Sequence, residues 1–306
     1  MKVLIYSEAF FGYADRIKDH LLLKNFAVDV KFFFVPVSSD RIKKKIFGIE
    51  YDQSTYYNNL LKDNTVYDVV LVINGKDLPD YFITAFGEKY KNCKKILYIW
   101  DDIKNLNPSK NFLHLFDKKY TYSKFDADAD ADLEFLPFFY THVSNSATRA
   151  YDAAFVGTLH SDRSARLKEF KLKNPRSNFF FFIYADLLTY LKYFKKVQLR
   201  DVKFKALSYE QYIEVVSRST ALIELPHPTQ RNITTRAIEV VGTRTKLITT
   251  SDAVKTYDFY NSNNIFIVDS GNISEIQDWL KQPYQEYSEE IRKKYYIDSW
   301  IGRIFP

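Results

Sequence analysis

Apolar and polar positions change period repeatedly along the first half of the chain. Lys2–Tyr6 is a short apolar run, after which Ala14, Ile17 and Leu21 recur at helical spacing through Asn25. Ala27–Phe34 again alternates or runs apolar, as a second strand would. Ser38–Phe47, with Ser38 as N-cap, and Gln53–Asp63 read as helices. Val66–Ile73 has the pattern of a buried strand, Pro79 opens a further helix, and Lys94–Trp100 is another strand. The second half restarts the alternation. Tyr151–Gly157 is a strand, Asp162–Leu172 a helix, and Phe179–Tyr184 and Val202–Phe204 are strands. Ser208-x-x-Gln211 is a capping box that opens a helix through Arg218. Ala221–Leu225 (strand), Thr234–Val241 (helix), Lys246–Thr249 (strand) and Ile265–Val268 (strand) follow. A helix capped by Ser274-x-x-Gln277 comes next, and Ser288–Ile304 reads as one amphipathic helix carrying Tyr296 and Trp300. Strands alternating with helices predict α/β architecture with parallel sheets covered on both faces, here in two units joined near Pro137–Arg149.

Composition narrows the function classes. A chain of 306 residues has room for about two domains. Its 46% hydrophobic and 27% charged residues exclude wholesale disorder. Cys93 is the single cysteine, so there is no intramolecular disulfide and no CxxC pair. His20, His114, His142, His160 and His227 are scattered and form no HExxH, which argues against a zinc protease. No two of the eight glycines are separated by one residue, and GxG dinucleotide loops, Walker A loops and GxSxG elbows are all absent. Met1–Ser7 resembles a first core strand rather than a secretory leader, and no segment approaches the roughly 18 uninterrupted apolar residues of a membrane span. The expectation is a soluble, cytoplasmic protein.

In open parallel sheets ligands bind beyond the carboxyl ends of the strands. That rule selects the loops after the first strand (Ser7–Gly12, with Glu8), after Trp100 (Asp101, Asp102), after Gly157 (Thr158, His160, Arg163) and after Leu225. The last is the most informative. A polar loop containing His227 and Gln230 leads into Thr234, Thr235, Arg236 and Glu239 at the start of a helix. Free N–H groups and the helix dipole favour an anion there, a threonine adds a hydroxyl donor, and Arg236 can grip a phosphate through two N–H groups. Glu239 could accept from vicinal ribose hydroxyls. The bland alternative is a capping threonine with a surface Arg–Glu pair.

These residues carry a resemblance. Leu-Pro-His227-Pro-Thr-Gln230-Arg-Asn-Ile-Thr-Thr235-Arg236-Ala-Ile-Glu239, followed by Lys246-Leu-Ile-Thr-Thr250 and Tyr257-Asp-Phe-Tyr-Asn261, resembles a family of bacterial capsular polysaccharide and lipopolysaccharide-core biosynthesis proteins. That family is regarded as GT-B glycosyltransferases related to the CgeB-like group. Tyr98-Ile-Trp100-Asp101 with Asn105, Phe135-Leu-Pro137 and Asp152-x-x-Phe-Val-Gly157-Thr-x-His160-x-x-Arg163 fall in the same order, and the resemblance spans essentially the whole chain. Where the family has Gln-x-Gly-x-Thr, this chain has Gln230-Arg-Asn-Ile-Thr234. The resemblance implies two Rossmann-like domains facing across a cleft. Residues 1–143 would bind the acceptor, and residues 144–306 a nucleotide-sugar donor, with a terminal helix packing back toward the first domain. It also implies that Glu239 holds the donor ribose and that Arg163, Thr235 and Arg236 hold its phosphates; the strand-end loops add Gly157, Thr158, Gln230 and Thr234 as donor-binding candidates, with His160 and His227, for which a merely solvated loop histidine is the alternative. The leaving phosphate would be stabilised by protein donors, with no metal and no cofactor besides the nucleotide-sugar substrate.

The base is expected to be Glu8 or Asp101, because each follows a core strand; helix capping for Glu8 and loop capping for Asp101 are the structural alternatives. The Asp126–Asp132 run offers a DxD, but an EF-hand loop would want Gly and Glu where Ala131 and Pro137 stand, so it reads as a solvated acidic connector. A net charge of +6 with many aromatics raises nucleic-acid binding, yet the rings fall mostly inside strand-like runs, and no nucleic-acid partner is expected. The basic surface fits peripheral attachment at an anionic membrane leaflet, where a lipid-linked acceptor would lie. A non-catalytic sugar- or glycan-binding module is the alternative to a transferase.

Overall fold

Parallel strands need crossovers, and the chain supplies them twice. The computed structural model describes residues 1–9, 11–36, 38–48, 52–105, 109–144, 148–269 and 271–305. The first half runs β1 (Lys2–Ser7), α1 (Tyr13–Leu23), β2 (Ala27–Phe32), α2 (Ser38–Phe47), α3 (Ser54–Leu61), β3 (Val69–Ile73), α4 (Asp80–Lys89), β4 (Lys94–Ile99), β5 (Lys118–Thr121), α5 (Lys124–Ala129) and β6 (Glu134–Phe135). The second runs β7 (Tyr151–Thr158), α6 (Arg163–Lys173), β8 (Phe179–Tyr184), α7 (Leu187–Tyr193), β9 (Val202–Lys203), α8 (Tyr209–Ser217), β10 (Ser219–Glu224), α9 (Thr235–Thr243), β11 (Lys246–Thr249), β12 (Ile265–Ile267), α10 (Ile276–Leu280), α11 (Glu289–Tyr295) and α12 (Ile297–Ile304). Phe10, and the side chains of the expected cap Ser38 and of Asn105, lie outside the described residues.

The chain divides into two compact units, Met1–Phe138 with Trp300–Pro306, and Phe139–Ser299. Each is built on a six-stranded sheet whose paired strands are all parallel. The first sheet has the order β2-β1-β3-β4-β5-β6, with Val3 opposite both Val28 and Val69. Strand β3 is buried at all five positions because both faces are covered. An aromatic core built on Tyr6, Phe33, Phe82 and Phe86 packs on this sheet, and the buried Tyr6 and Tyr90 hydroxyls satisfy each other at 3.0 Å. At the chain end, Trp300 packs edge-on to Tyr98 of β4 at 5.0 Å, and the Tyr120 hydroxyl donates to the Arg303 carbonyl.

The second sheet has the order β12-β11-β10-β7-β8-β9, the Rossmann strand order. The sheets reverse direction between β1 and β3 in the first unit and between β7 and β10 in the second, which are the positions where such sheets bind ligands. No helix among the described residues is long and apolar enough to cross a membrane.

Some local expectations need correction. Ser288–Ile304 is two helices, because Tyr296 is extended: Tyr140 donates its N–H to the Tyr295 carbonyl and accepts the Ile297 N–H, inserting a bridge into the helical ladder. Ser274-x-x-Gln277 is no capping box. Ser274 lies in a 3₁₀ turn, and the Gln277 N–H is taken by Asn174 Oδ1 at 3.2 Å. The Asp126–Asp132 run is not purely a solvated connector. Its first four residues, Asp126–Ala129, belong to α5, which Ser123 caps from outside the run by accepting the Asp126 N–H, and Asp126 accepts the Ile103 N–H at 2.9 Å.

Candidate functional site

One side chain ties together the carboxyl ends of the strands flanking the second switch point. Arg163, in the first turn of α6, donates from Nε (2.9 Å) and Nη2 (2.5 Å) to the Leu225 carbonyl, and from Nη1 (2.9 Å) to the Thr158 carbonyl. It is only 6% exposed, and its guanidinium lies 5.5 Å from the Phe155 ring centroid. Gly157 makes room for this arrangement, since a Cβ there would come within 2.8 Å of the Phe155 ring. Burial, and then the charge of Arg236, lowers the Arg163 guanidinium to about 9, so it stays charged at neutral pH.

Glu224 ends β10 and is 1% exposed. Its Oε1 accepts the Thr234 N–H (2.7 Å) and hydroxyl (2.5 Å), and its Oε2 accepts the Thr249 hydroxyl of β11 (2.6 Å). Burial raises this carboxyl against the pull of those hydrogen bonds. Glu224 thereby pins the far end of the 226–233 loop to the strand that launches it. The buried Tyr257 hydroxyl donates to Asn232 Oδ1 (3.0 Å) and anchors the same loop a second time. What remains at the loop's surface is His227, Pro228, Thr229 and Arg231, with Pro226 and Gln230 half-buried.

Held in this way, Thr234 caps α9 by accepting the Arg236 N–H at 3.2 Å, and Thr235 is the first helical residue. Arg236 follows, with Nε buried and without a hydrogen-bond partner. The His160 and His227 rings lie 5.0 Å apart. Burial, then the charges of Arg163, His227 and Arg236, lowers His160 to about 4, which leaves it neutral at physiological pH. Two guanidinium groups and two imidazoles therefore converge where a helix presents its free N–H groups, a setting that favours an anion. A cavity of about 660 Å³ adjoins them, bordered by Asp162, Arg166, His227, Gln230, Thr250 and Asp269; that is the size of a small-molecule pocket. Glu239 lies one turn further along α9. It is buried, and its Oε2 accepts the Tyr212 hydroxyl of α8 at 2.6 Å.

In the first unit, Glu8 follows β1 and is half-buried. Its carboxyl is raised chiefly by burial; Lys76 opposes the shift, Asp101 adds to it, and an Asn74 side-chain hydrogen bond lowers it. Asn74 follows β3 in the left-handed region (φ 63°), and its Oδ1 accepts the Trp100 N–H at 3.0 Å. Glu8 and Asp101 are thus brought within electrostatic range of each other. Asp101 also has the capping geometry expected of its structural alternative, because its Oδ1 accepts the Asp102 N–H at 2.9 Å. Among the described residues, no group of three His, Cys, Asp or Glu side chains is placed to hold a metal ion.

Sequence reasoning missed Glu224, Asn74 and Tyr212. A glutamate inside an apolar strand was the available signal for the first, and Asn-Gly after an all-apolar strand for the second. Tyr212 gave no signal, because its partner lies 27 positions away.

No protein-family model matches the sequence, and no curated protein does either. Solved structures do match. AviGT4, a glycosyltransferase involved in avilamycin A biosynthesis, superposes with a TM-score of 0.60 at 11% identity, over 99% of this chain and 96% of that one. TarM superposes with a TM-score of 0.58 at 9% identity, over 99% and 97%. The chain has the fold of a GT-B glycosyltransferase. In this GT-B fold the cationic cluster at α9 sits at the switch point of the second sheet, and Glu8 sits at that of the first.

Proposed function

We propose that the protein is a glycosyltransferase that moves a sugar from a nucleotide-activated donor to a hydroxyl of a surface glycan. The carrying observation is the buried, unpartnered Nε of Arg236 at the capped start of α9, beside Arg163, His160 and His227. A diphosphate supplies the missing acceptors there. Preorganised N–H and guanidinium donors stabilise the charge that develops on the leaving phosphate without a metal. The nearby cavity has the size for the rest of a nucleotide sugar.

In a single displacement, the acceptor oxygen bonds to the anomeric carbon while the bond from that carbon to the diphosphate oxygen breaks, the electron pair leaving with the nucleotide. The acceptor's proton passes to Glu8, whose raised carboxyl is a stronger base than an ordinary glutamate. The fold of AviGT4 supports sugar transfer. The sequence resemblance supports a capsule or lipopolysaccharide acceptor, lipid-linked and met at the cytoplasmic face of an anionic membrane.

Calorimetry with uridine, guanosine and cytidine diphosphates and their sugars tests the donor site. Arg236→Ala is expected to weaken the binding nucleotide about 10- to 100-fold, the loss of a charged hydrogen bond worth roughly 1.5–3 kcal/mol. Glu8→Gln is expected to bind donor as the wild type does and to lose turnover. Donor affinity unchanged in Arg236→Ala would remove the site; full turnover in Glu8→Gln would remove the base.

A further inference from the structure

The edge of the second sheet at β9 carries apolar side chains that its core does not use. Leu187, Leu191, Phe194, Leu199 and Phe204 are 47–63% exposed. Interleaved with them are Lys192, Lys195, Lys196, Arg200, Lys203 and Lys205, all exposed, against one acidic residue, Asp201. The backbone beneath is anchored. Val197 and Val202 are buried, Tyr190 meets Phe204 edge-on at 5.6 Å, and Ala185 donates its N–H to the Lys203 carbonyl. Beside this stretch lies a cavity of about 320 Å³. Phe179 and Phe181, stacked at 5.4 Å, form part of its apolar floor, and Lys168, Lys171, Arg200 and Lys203 stand at its rim.

Single exposed apolar residues are ordinary, but large ones clustered among cations mark a surface meant to be covered. The chemistry selects the cover. Cations seek an anionic partner, while three of the five exposed apolar side chains are leucines, which offer no ring face for stacking on nucleic-acid bases. Apolar groups that enter an acyl boundary beneath Lys and Arg that meet headgroups are the pattern of an interfacial segment.

We infer that residues 187–205, with the adjoining basic-rimmed cavity, form a docking surface for an anionic phospholipid bilayer. This deepens the membrane attachment in the reading above and is independent of its sugar-transfer step. Flotation is therefore measured without nucleotide, and a chain that floats but transfers nothing would separate the two.

The full chain is floated with vesicles of phosphatidylcholine alone and of phosphatidylcholine with phosphatidylglycerol, at low and high salt. It is expected to float only with the anionic vesicles. Combining Lys192→Glu, Lys195→Glu and Lys196→Glu should lower partitioning more than about tenfold. Leu191→Ser with Phe194→Ser should also weaken it and make the residual binding salt-labile. Lys43→Glu with Lys44→Glu, on the other unit's α2, should float as the wild type does. Hydrogen exchange on the wild-type chain, which needs no variant to fold, should show vesicle-dependent protection at 187–205. The inference is overturned by equal flotation with neutral vesicles, or by flotation lost in the α2 variant and kept in the edge variants. Binding of an oligonucleotide or an acidic polypeptide by a chain that ignores both vesicles would overturn it as well.

Discussion

A carboxylate 1% exposed at the end of an apolar strand loses nearly all its hydration, and Glu224 recovers part of it from the Thr234 N–H and two threonine hydroxyls. Its carboxyl nevertheless lies above the ordinary glutamate value of 4.5. An acid whose folded value exceeds its unfolded one holds an extra proton in the native state between the two. Its contribution to stability is therefore largest below the unfolded value and declines as pH rises through the folded one. Replacement by a neutral amide of the same shape removes that decline. Glutamine can still accept the Thr234 N–H and can donate to the Thr249 hydroxyl oxygen. In urea unfolding, Glu224→Gln is accordingly expected to gain on the wild type between pH 5 and pH 8. Glu224→Ala leaves buried donors unpaired and a cavity behind, and is expected to cost about 2–4 kcal/mol at both pH values. A Glu224→Gln variant that loses ground as pH rises would show that the carboxylate is stabilised, not strained, by its site.

At the scale of elements, packing decides where a glycine is required. Gly242, near the end of α9, lies against the 140–142 segment, and a Cβ there would fall 2.4 Å from the His142 carbonyl oxygen and from the Tyr140 ring. Backbone cannot yield as a side-chain tip can, so Gly242→Ala is expected to destabilise by about 1–3 kcal/mol or more. Gly302, in α12, has nothing within 4 Å of its would-be Cβ. Gly302→Ala should stabilise by about 0.5–1 kcal/mol, because only the helix propensity changes. Thermal melts of the pair would show opposite shifts; two shifts of the same sign would contradict the packing assigned to Gly242. The same contrast explains what was legible in the sequence. Elements specified by their own residues were read at their true bounds: Phe179–Tyr184, Lys246–Thr249, and the Ser208/Gln211 box, which forms in both directions. Elements specified by distant partners were not. Strands β5 and β6 are short and carry no apolar alternation, so only their neighbours make them strands. The break at Tyr296 is made by Tyr140, 156 positions earlier. Around the candidate site, the polar loop and the capped helix start after Leu225 were legible as elements, whereas the Glu224 clamp and the Tyr212–Glu239 bond required the fold.

At the scale of the whole molecule, each unit has its own switch point, and the two differ in charge. The second unit's gathers Arg163, Arg236 and two histidines; the first unit's gathers Glu8 and Asp101 with Lys76 nearby. A nucleoside diphosphate is anionic, so Coulomb's law alone should direct it to the second and away from the first. Hydrogen exchange of the full chain makes that asymmetry measurable. At about 100 times its Kd, a ligand stabilises what it binds by roughly 2.7 kcal/mol, enough to slow exchange from local opening by about 100-fold. With a binding nucleoside diphosphate, amides at 157–163 and 225–236 should slow toward that limit, and amides at 8, 9, 11, 12, 74–77 and 100–102 should exchange as before. Arg236→Ala should remove the protection at both second-unit segments together, because Arg163 joins the Thr158 and Leu225 carbonyls into one site. Protection that appeared first beside Glu8 would mean the nucleotide is held by the first unit, and the assignment of donor and base would have to be exchanged.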